Sequence, residues 1–388
     1  MKSIKVTVFT GTRADYGLLY WLINDIKKDE TLKLQLLVSG SHLSPKFGLT
    51  YKQILEDGIY IDEKVEMLIS SDSSAGIAKS MGLGMIGFAD ALDRLDPDII
   101  VILGDRYEAL AVAQTSLILG IPIFHLHGGE ISEGAYDDSI RHAITKLSSL
   151  HATSTEEYRR RVIQLGEEPD RVINVGAMGL DYLRRGSFLN RIELSKNLKF
   201  DLSKPYFVVT YHPATLGNEN PLNTFKALLD ALDNFPNHQV ILTYPNADYG
   251  GRKIIPLIES YALSNVGKAL AIPSLGQIRY LSAIKFADAV IGNSSSGIIE
   301  APAFDVPTVN IGIRQKGRLA AKSVLHCHPD VDEISEAISF AISRKYKEKG
   351  EKIINPYGKA KGDASIKVIK MIKSYDFSKI KVFHDLVK

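Results

Sequence analysis

Polar and charged residues stand directly after several predicted parallel strands, where proteins built on such sheets bind their ligands. In the first half of the chain these residues are Arg13, Asp15, Asp105, Arg106, His127 and Glu130. In the second half they are His212, Asn246, Ser274, Asn293, Ser294, Ser295 and Arg314. Cations, hydroxyls and carboxylates gathered at strand ends suit the binding of an anionic substrate and the transfer of a proton.

A loop of small residues, Gly292–Gly297, opens a predicted helix in the second half. Backbone N–H groups at a helix start, together with the hydroxyls of Ser294 and Ser295, suit a pyrophosphate. An ordinary serine cap is the structural alternative. Glu300 favours the first interpretation, because a carboxylate there can accept both hydroxyls of a ribose. The chain lacks Gly-x-Gly-x-x-Gly and Gly-Lys-Ser/Thr motifs, which disfavours NAD and ATP.

The cations of this set have two interpretations each. Arg13 and Arg314 are either bidentate phosphate ligands or surface arginines. His212 is either a phosphate ligand or a packed histidine.

The carboxylates Asp105, Glu130 and Asp137 are candidates for general acid–base catalysis. Burial at a strand end raises the pKa of a carboxyl, whereas a neighbouring Arg106 opposes that shift, so its direction stays open. Asp137 is alternatively an N-cap for the helix near Asp138. Asp138 and Arg141 are one helical turn apart, as in an ordinary ion pair on a helix face.

Short β-branched runs alternate with amphipathic helical patterns along the whole chain, as in parallel βαβ units. Predicted strands are Ile4–Thr10, Leu34–Val38, Ile99–Leu103, Ile121–Leu126, Leu150–Thr153, Val172–Val175, Tyr206–Tyr211, Val240–Tyr244, Leu270–Ile272, Ala289–Ile291 and Thr308–Ile311. Predicted helices are Tyr16–Ile26, Ser74–Leu95, Tyr107–Leu119, Asp138–Leu147, Glu156–Leu165, Pro221–Asn234, Ile254–Tyr261, Gln277–Phe286, Ile298–Phe304, Glu333–Ser343 and Ala364–Tyr375.

These patterns predict an α/β protein of two doubly wound Rossmann-like domains that face each other across a cleft. We expect a first domain over residues 1–184, a polar linker over 185–205 and a second domain over 206–360. Residues 361–388 form a terminal helix and tail that pack on the first domain in this prediction.

The composition is that of an ordinary globular protein. Of 388 residues, 45% are hydrophobic and 24% are charged, which excludes a disordered or collagen-like chain. The formal charge of +2 gives no global field for nucleic acid or an acidic membrane. One cysteine, Cys327, cannot form an internal disulfide, and the N-terminus shows no signal peptide pattern, so we expect a cytoplasmic protein.

Six motifs together resemble the hydrolysing UDP-N-acetylglucosamine 2-epimerases of bacterial sialic acid synthesis. They are Gly11-Thr12-Arg13-Ala14-Asp15-Tyr16-Gly17, Gly104-Asp105-Arg106-Tyr107-Glu108, His125-Leu126-His127-Gly128-Gly129-Glu130, Asp137-Asp138-Ser139-Ile140-Arg141-His142, Tyr211-His212-Pro213 and Gly292-Asn293-Ser294-Ser295-Ser296-Gly297. They occur in order over nearly the whole chain, and several are uncommon strings.

The resemblance implies a GT-B-like fold and a reaction that needs neither NAD nor a metal. In that reaction the C2 proton is abstracted, UDP is eliminated to give 2-acetamidoglucal, and water adds to give N-acetylmannosamine. Residues that match the family's UDP contacts are Arg13, His212, Ser294, Ser295, Glu300 and Arg314, with Asn246 lining the pocket. Asp105 and Asp137 match its acid–base carboxylates, and Arg106 matches a cleft residue. A homodimer or homotetramer is implied as well.

One position departs from some relatives, which have Glu where this chain has His127. Either His127 or Glu130 takes over the proton transfer assigned to that Glu. The motifs also leave the sugar open between UDP-N-acetylglucosamine and UDP-2,4-diacetamido-2,4,6-trideoxyglucose. The competing hypotheses are a non-hydrolysing epimerase, a glycosyltransferase of the same fold and a non-catalytic nucleotide-sugar-binding protein.

Overall fold

The computed structural model describes residues 3–71, 73–214, 220–245, 250–343, 354–358 and 361–386. It divides into two compact units. The first contains Met1–Glu130, Asp137–Arg185 and Ala360–Lys388, and the second contains Ile131–Tyr136 and Gly186–Lys359. Each unit is built on one parallel sheet with helices on its faces. The predicted fold class, α/β with two doubly wound domains, is therefore confirmed.

The first unit contains seven strands: β1 (Ile4–Thr10), β2 (Leu32–Ser39), β3 (Glu63–Val65), β4 (Ile99–Leu103), β5 (Ile123–Leu126), β6 (Leu150–Thr153) and β7 (Val172–Asn174). Their order in the sheet is β3-β2-β1-β4-β5-β6-β7, and all neighbours run parallel. The helices are α1 (Arg13–Lys28), α2 (Tyr51–Glu56), α3 (Ser74–Leu95), α4 (Tyr107–Ile118), α5 (Asp137–Leu147), α6 (Glu156–Gln164) and α7 (Asp181–Arg185).

The central strands are apolar on both faces because helices cover both sides of the sheet. In β4, Val101 and Leu103 face one hydrophobic cluster, whereas Ile100 and Ile102 face another. This alternation follows the two-residue period of a strand. The sheet is thus a doubly buried layer that is mostly apolar, and the few polar side chains along its strands, such as Thr7 and His125, are hydrogen-bonded.

A helix far along the chain, α14 (Ala364–Ser374), completes one face of this unit by packing on α1. The carboxylate of Asp181 accepts the N–H groups of Ala364 and Ser365, each at 3.2 Å. Lys373 pairs with Asp29 at 2.5 Å in the last turn of α14. Backbone hydrogen bonds and an ion pair therefore hold both ends of the helix.

The second unit contains β8 (Tyr206–Thr210), β9 (Gln239–Thr243), β10 (Ala269–Ile272), β11 (Ala289–Gly292), β12 (Thr308–Ile311) and β13 (Val324–Cys327). The order is β10-β9-β8-β11-β12-β13, again all parallel. Its helices are α8 (Arg191–Leu198), α9 (Pro221–Asp233), α10 (Gly251–Ser264), α11 (Gly276–Phe286), α12 (Ser295–Ile299) and α13 (Val331–Ala341).

Both sheets reverse their strand order beside their first strand. In the first unit β1 lies between β2 and β4, and in the second β8 lies between β9 and β11. The connections leave in opposite directions at these two places, which opens a crevice at the carboxyl ends of the strands. Candidate residues follow the strands on both sides of each crevice: Arg13, Asp15, Asp105 and Arg106 follow β1 and β4, and His212 and the loop that begins at Asn293 follow β8 and β11.

The sequence prediction located most elements, and four strands match residue for residue. Two edge strands, β3 and β13, were not predicted. Helix α1 begins at Arg13, three residues before its predicted start, because Thr12 caps it. The predicted helix Ile298–Phe304 is wrong in its bounds: α12 begins at Ser295, and a 3-10 turn over Ala301–Phe304 replaces its second half.

The segment predicted as a linker, residues 185–205, contains α8. Asn190 caps this helix, and Leu194 and Leu198 are buried within the second unit. The domain bounds proposed from the sequence stay a prediction.

Gly292 shows how closely β8 and β11 approach at the reversal of the second sheet. It has a φ of 129°, and a Cβ added there would lie 2.1 Å from the carbonyl oxygen of Thr210. Gly267 also has a positive φ, of 77°, but a Cβ there would meet nothing within 4 Å.

We expect Gly292→Ala to destabilise the second unit on the order of 3 kcal/mol or more, because backbone strain and a clash with backbone add. Gly267→Ala carries only the strain and should cost about 1 kcal/mol. Hydrogen exchange of the amides in β8 and β11 measures both effects. Equal protection in the two variants would contradict the close approach at Gly292.

Candidate functional site

The turn after β1 fixes the first two candidate residues. Thr12 caps α1: its side chain accepts the Asp15 N–H at 3.2 Å, and the Asp15 carboxylate accepts the Thr12 N–H at 3.0 Å. This reciprocal capping box makes Arg13 the first residue of α1 and Asp15 the third. Both side chains are half-buried.

Asp15 lies in a cluster of charges formed by the loops after β1 and β4. Burial raises the pKa of Asp15 to about 7, Arg106 opposes that shift, and Glu108 and Asp105 add to it. These four residues are therefore electrostatic neighbours, as expected for groups at a strand-order reversal. An acid with a pKa near 7 exchanges its proton readily at neutral pH.

Arg106 precedes α4, and its guanidinium pairs with Glu108 in the first turn of that helix. Its Nε and Nη2 atoms lie 3.2 and 3.4 Å from the two carboxylate oxygens. Glu108 is fully buried and packs against Gly11 and Gly40, which follow β1 and β2. The buried Glu108 carboxylate therefore fixes the orientation of the Arg106 guanidinium. The sequence analysis did not predict that role for Glu108.

The loop after β5 brings His127 and Glu130 into contact. His127 has a positive φ of 64°, and its Nδ1 lies 3.0 Å from Glu130 Oε1. The backbone N–H of Met178 donates to Nε2 of His127 at 3.1 Å, so the ring proton of the neutral histidine belongs on Nδ1. Ser154 donates to the same Glu130 oxygen at 2.7 Å. Both residues are almost fully buried.

Asp105 and the start of α5 meet at one arginine. Arg141 pairs with Asp105, donates to the Glu130 carbonyl at 2.8 Å and reaches Asp138 at 3.3 Å. Asp137 is the first residue of α5 and is half-buried. The ion pair of Asp138 and Arg141 is thus present. Arg141 also contacts Asp105 and the Glu130 carbonyl, which the sequence pattern did not predict.

In the second unit, Asn293 pairs with the backbone of His212. The Asn293 side chain accepts the His212 N–H at 2.7 Å and donates to its carbonyl at 2.8 Å. His212 and Asn293 are both buried. The two hydrogen bonds fix the chain after β8 against the loop after β11.

The carbonyl of Asn293 is held in turn from the loop after β12. Arg314 Nη1 donates to it at 3.0 Å and Gln315 Nε2 at 2.9 Å. Gln315 is 2% exposed, whereas Arg314 is half-buried. The sequence analysis missed Gln315, because its role depends on a contact between the loop after β12 and the loop after β11.

The loop over residues 292–297, which we call the serine loop, is contacted by a tyrosine hydroxyl from α11. Ser294 caps α12, and Ser295 is the first residue of that helix. The Tyr280 hydroxyl lies within hydrogen-bonding reach of Ser294, Ser296 and Thr210, and burial raises its pKa. Glu300, which directly follows α12, is buried and close enough to act electrostatically on that hydroxyl. An aromatic residue at helical spacing resembles a core residue, so no pattern in the sequence distinguishes Tyr280.

The remaining two candidates of this unit are less informative. Ser274 accepts the Gly276 N–H at 3.1 Å, in the turn that begins α11. Asn246 lies outside the described residues.

The loop between Glu130 and Asp137 belongs to the second unit, where it packs on the Arg314 loop. The Glu133 N–H donates to the Lys316 carbonyl at 3.2 Å. A Cβ on Gly134 would lie 2.7 Å from the Ile313 carbonyl oxygen, so only glycine allows this approach. Backbone contact therefore fixes the loop beside Arg314.

The raised pKa of Asp15 has a consequence for stability. The folded chain binds the Asp15 proton more tightly than the unfolded chain does, so between about pH 4 and pH 7 this residue lowers the free energy of unfolding as pH rises. Asp15→Asn keeps an oxygen for the Thr12 N–H but cannot ionise. We expect the stability of the variant relative to wild type to increase from pH 4 to pH 8. Urea unfolding followed by fluorescence of Trp21, the single tryptophan, reports on the first unit. A difference that does not vary with pH would contradict the shift.

Comparison with known proteins identifies the family. The family model described as UDP-N-acetylglucosamine 2-epimerase matches residues 24–373. A GDP/UDP-N,N'-diacetylbacillosamine 2-epimerase (hydrolyzing) from Campylobacter jejuni is 43% identical over 90% of both chains. Polysialic acid biosynthesis protein P7 from Escherichia coli is 37% identical over 98% of this chain and 96% of its own.

A solved structure supports the fold. The UDP-GlcNAc 2-epimerase of Neisseria meningitidis, bound to UDP-GlcNAc, superposes with a TM-score of 0.77 over 96% of this chain and 100% of that one, at 17% identity. Among the described residues, no helix has the length and apolar character needed to cross a membrane. The resemblance found in the sequence motifs is confirmed, and the chain belongs to the UDP-N-acetylglucosamine 2-epimerase family.

Proposed function

We propose that this chain is a hydrolysing 2-epimerase that releases UDP from a UDP-linked 2-acetamido sugar. The C2 proton is removed, the C1–O bond to UDP breaks, and a 2-acetamidoglucal forms. Water then adds, with its hydroxyl on C1 and a proton on C2 from the opposite face. The supporting observation is that one chain carries an acidic cluster at one strand-order reversal and a loop rich in hydrogen-bond donors at the other.

The proton transfers fall to Asp105 and Asp137 in this proposal. Asp105 follows β4 and Asp137 begins α5, and both are only partly buried, so their carboxylates can reach a substrate. Arg106, oriented by Glu108, lies beside the sugar or the phosphates. His127 and Glu130 act as positioning residues, because both ring nitrogens of His127 are already engaged in hydrogen bonds.

The nucleotide is bound by the cations, hydroxyls and Glu300 in this proposal. Arg314 and His212 contact the phosphates, the serine loop donates to them, and Glu300 accepts the ribose hydroxyls. The full set of proposed contacts is Arg13, Asp15, His212, Asn246, Ser274, Asn293, Ser294, Ser295, Glu300 and Arg314. A homodimer or homotetramer stays a prediction from the family resemblance.

Two sugars are candidates. The sequence motifs led us to expect UDP-N-acetylglucosamine first and the 2,4-diacetamido sugar second. The Campylobacter relative, 43% identical, is named for N,N'-diacetylbacillosamine, which is that 2,4-diacetamido sugar. This relative supports UDP-N,N'-diacetylbacillosamine as an equal candidate, so both sugars belong in the first assay.

Proton NMR in deuterated water tests the reaction and the substrate together. We expect one free UDP per sugar turned over and deuterium at C2 of a product with inverted configuration. Equal concentrations of the two UDP-sugars in one tube give the preference directly. A C2-inverted sugar still attached to UDP would instead establish the non-hydrolysing reaction, and consumption that requires an acceptor would indicate a glycosyltransferase.

The same assay tests the two aspartates. Asp105→Asn and Asp137→Asn should each lower turnover by at least about 100-fold, because a positioned acid or base contributes that much. UDP affinity should stay within a few-fold in both variants. An unchanged rate in either variant would remove that residue from the mechanism.

Arg314 can be tested by UDP binding alone. Arg314→Ala should weaken UDP binding by roughly 1.5–3 kcal/mol, as for a hydrogen bond to a charged group, and His212→Ala should do likewise. The matched control is Lys316→Met, since Lys316 is a neighbouring cation that pairs with Glu133 on the surface. Calorimetric titration should give wild-type affinity for that control. Equal affinity in Arg314→Ala and Lys316→Met would contradict the phosphate contact.

A further inference from the structure

Arg141 is a buried cation that the proposed reaction has not yet used. It is 1% exposed and the largest fully buried side chain of the described residues. Burying a guanidinium costs several kcal/mol unless charged and polar partners surround it. The groups that contact the Arg141 guanidinium therefore indicate its role in the first unit.

Three acceptors from three parts of the first unit surround this guanidinium. Nη2 pairs with the Asp105 carboxylate after β4, and Nη1 donates to the Glu130 carbonyl after β5. Nη1 also reaches the Asp138 carboxylate in the first turn of α5. Asp137 directly precedes Asp138. One side chain thus connects every segment that carries a proposed proton-transfer carboxylate.

An ordinary ion pair on a helix face does not explain this arrangement. Such pairs sit in solvent and contribute little to stability. Lys367 and Asp363, four residues apart at the start of α14, are an example: each side chain is 39% exposed. Arg141 instead faces inward and contacts a carboxylate 36 positions away in the chain.

The histidines near Arg141 carry no charge that could act on Asp105 in its place. His125 lies nearby on β5, and burial lowers its pKa to about 3, with Arg141 adding to the shift. His142 follows on α5, and burial likewise lowers its pKa. Both rings are therefore neutral near pH 7. Arg106, on the α4 side, is engaged with Glu108.

We propose that Arg141 is the positioning residue of the proton-transfer step: its guanidinium orients the Asp105 carboxylate and fixes the Glu130 backbone and the first turn of α5. This inference rests on the proposed function. The planar fork of arginine makes these contacts at once, whereas the single ammonium of a lysine cannot span them. A misplacement of about 1 Å in such a group lowers a rate by about 100-fold.

Chemical rescue separates positioning from folding. Arg141→Ala should lower kcat by about 100-fold while KM and the Kd for UDP change less than about threefold. Guanidinium ion at tens of millimolar should then restore turnover by about tenfold with a saturable concentration dependence. The expected rescue follows from the space that Arg141→Ala leaves between Asp105 and the Glu130 carbonyl.

The matched control is Arg161→Ala. Arg161 also donates to a carbonyl of the same loop, that of Gly129, but the described contacts join it to none of Asp105, Glu130 or Asp137. Its removal should change kcat less than about threefold, and guanidinium should have no effect on the variant.

Several outcomes would overturn the inference. Arg141→Ala with wild-type kcat does so directly, and so does a folded variant with native UDP affinity whose lost turnover guanidinium does not restore. If Arg141→Ala does not fold, Arg141→Lys keeps the charge, and wild-type kcat in that variant overturns the inference too. Failure of the proposed function is distinguishable, because the wild-type protein would then release UDP from neither sugar.

Discussion

The reversal of strand order beside β1 and β8 is the constraint on which the rest of the structure depends. Strands covered by helices on both faces are mostly apolar, and a buried polar side chain along them, such as Thr7 or His125, is used up in a hydrogen bond within the sheet. Polar groups that can meet a ligand therefore concentrate where the strands end. At a reversal the adjoining connections diverge, and backbone and side chains there are open to a ligand. Asp15 and Asp105 meet at one reversal, and His212 and Asn293 meet at the other. Sheet topology thus determines where chemistry is possible before any particular side chain is considered.

Buried carboxylates are the second theme, and three of them in the first unit are paired with cations. Glu108 receives Arg106, and Asp105 receives Arg141. Glu167, far from these residues in the sequence, accepts Lys146 at 2.7 Å, Lys381 at 2.8 Å and His151 at 2.9 Å. Lys381 anchors the C-terminal tail to the first unit in this way. Each cluster is costly to break, since removing one partner leaves the other charged and desolvated. Groups held in this way keep one geometry.

Much of the fold was predictable from the sequence because buried parallel strands have a strong pattern. The run Ile99–Leu103 is apolar throughout, and its first and last residues are those of strand β4. Strand β3 has the sequence Glu-Lys-Val at a sheet edge, where one neighbour supplies its hydrogen bonds and no apolar run is needed. Single residues at strand ends were predictable by type. Partners such as Glu108, Gln315 and Tyr280 were not, because their roles depend on contacts between segments distant in the chain or on which face of a helix points inward.

His127 shows how hydrogen-bond direction supplies what residue type cannot. A histidine after β5 is compatible with a proton shuttle, and the sequence left that role open between His127 and Glu130. A backbone N–H can only donate, so the contact from Met178 makes Nε2 an acceptor and places the proton on Nδ1, facing Glu130. Both ring nitrogens of this buried histidine therefore have protein partners, which hold the ring in one orientation beside Glu130. The carboxylates of Asp105 and Asp137 are more exposed than this ring, which is why we assign the chemistry to the aspartates and the positioning to the histidine.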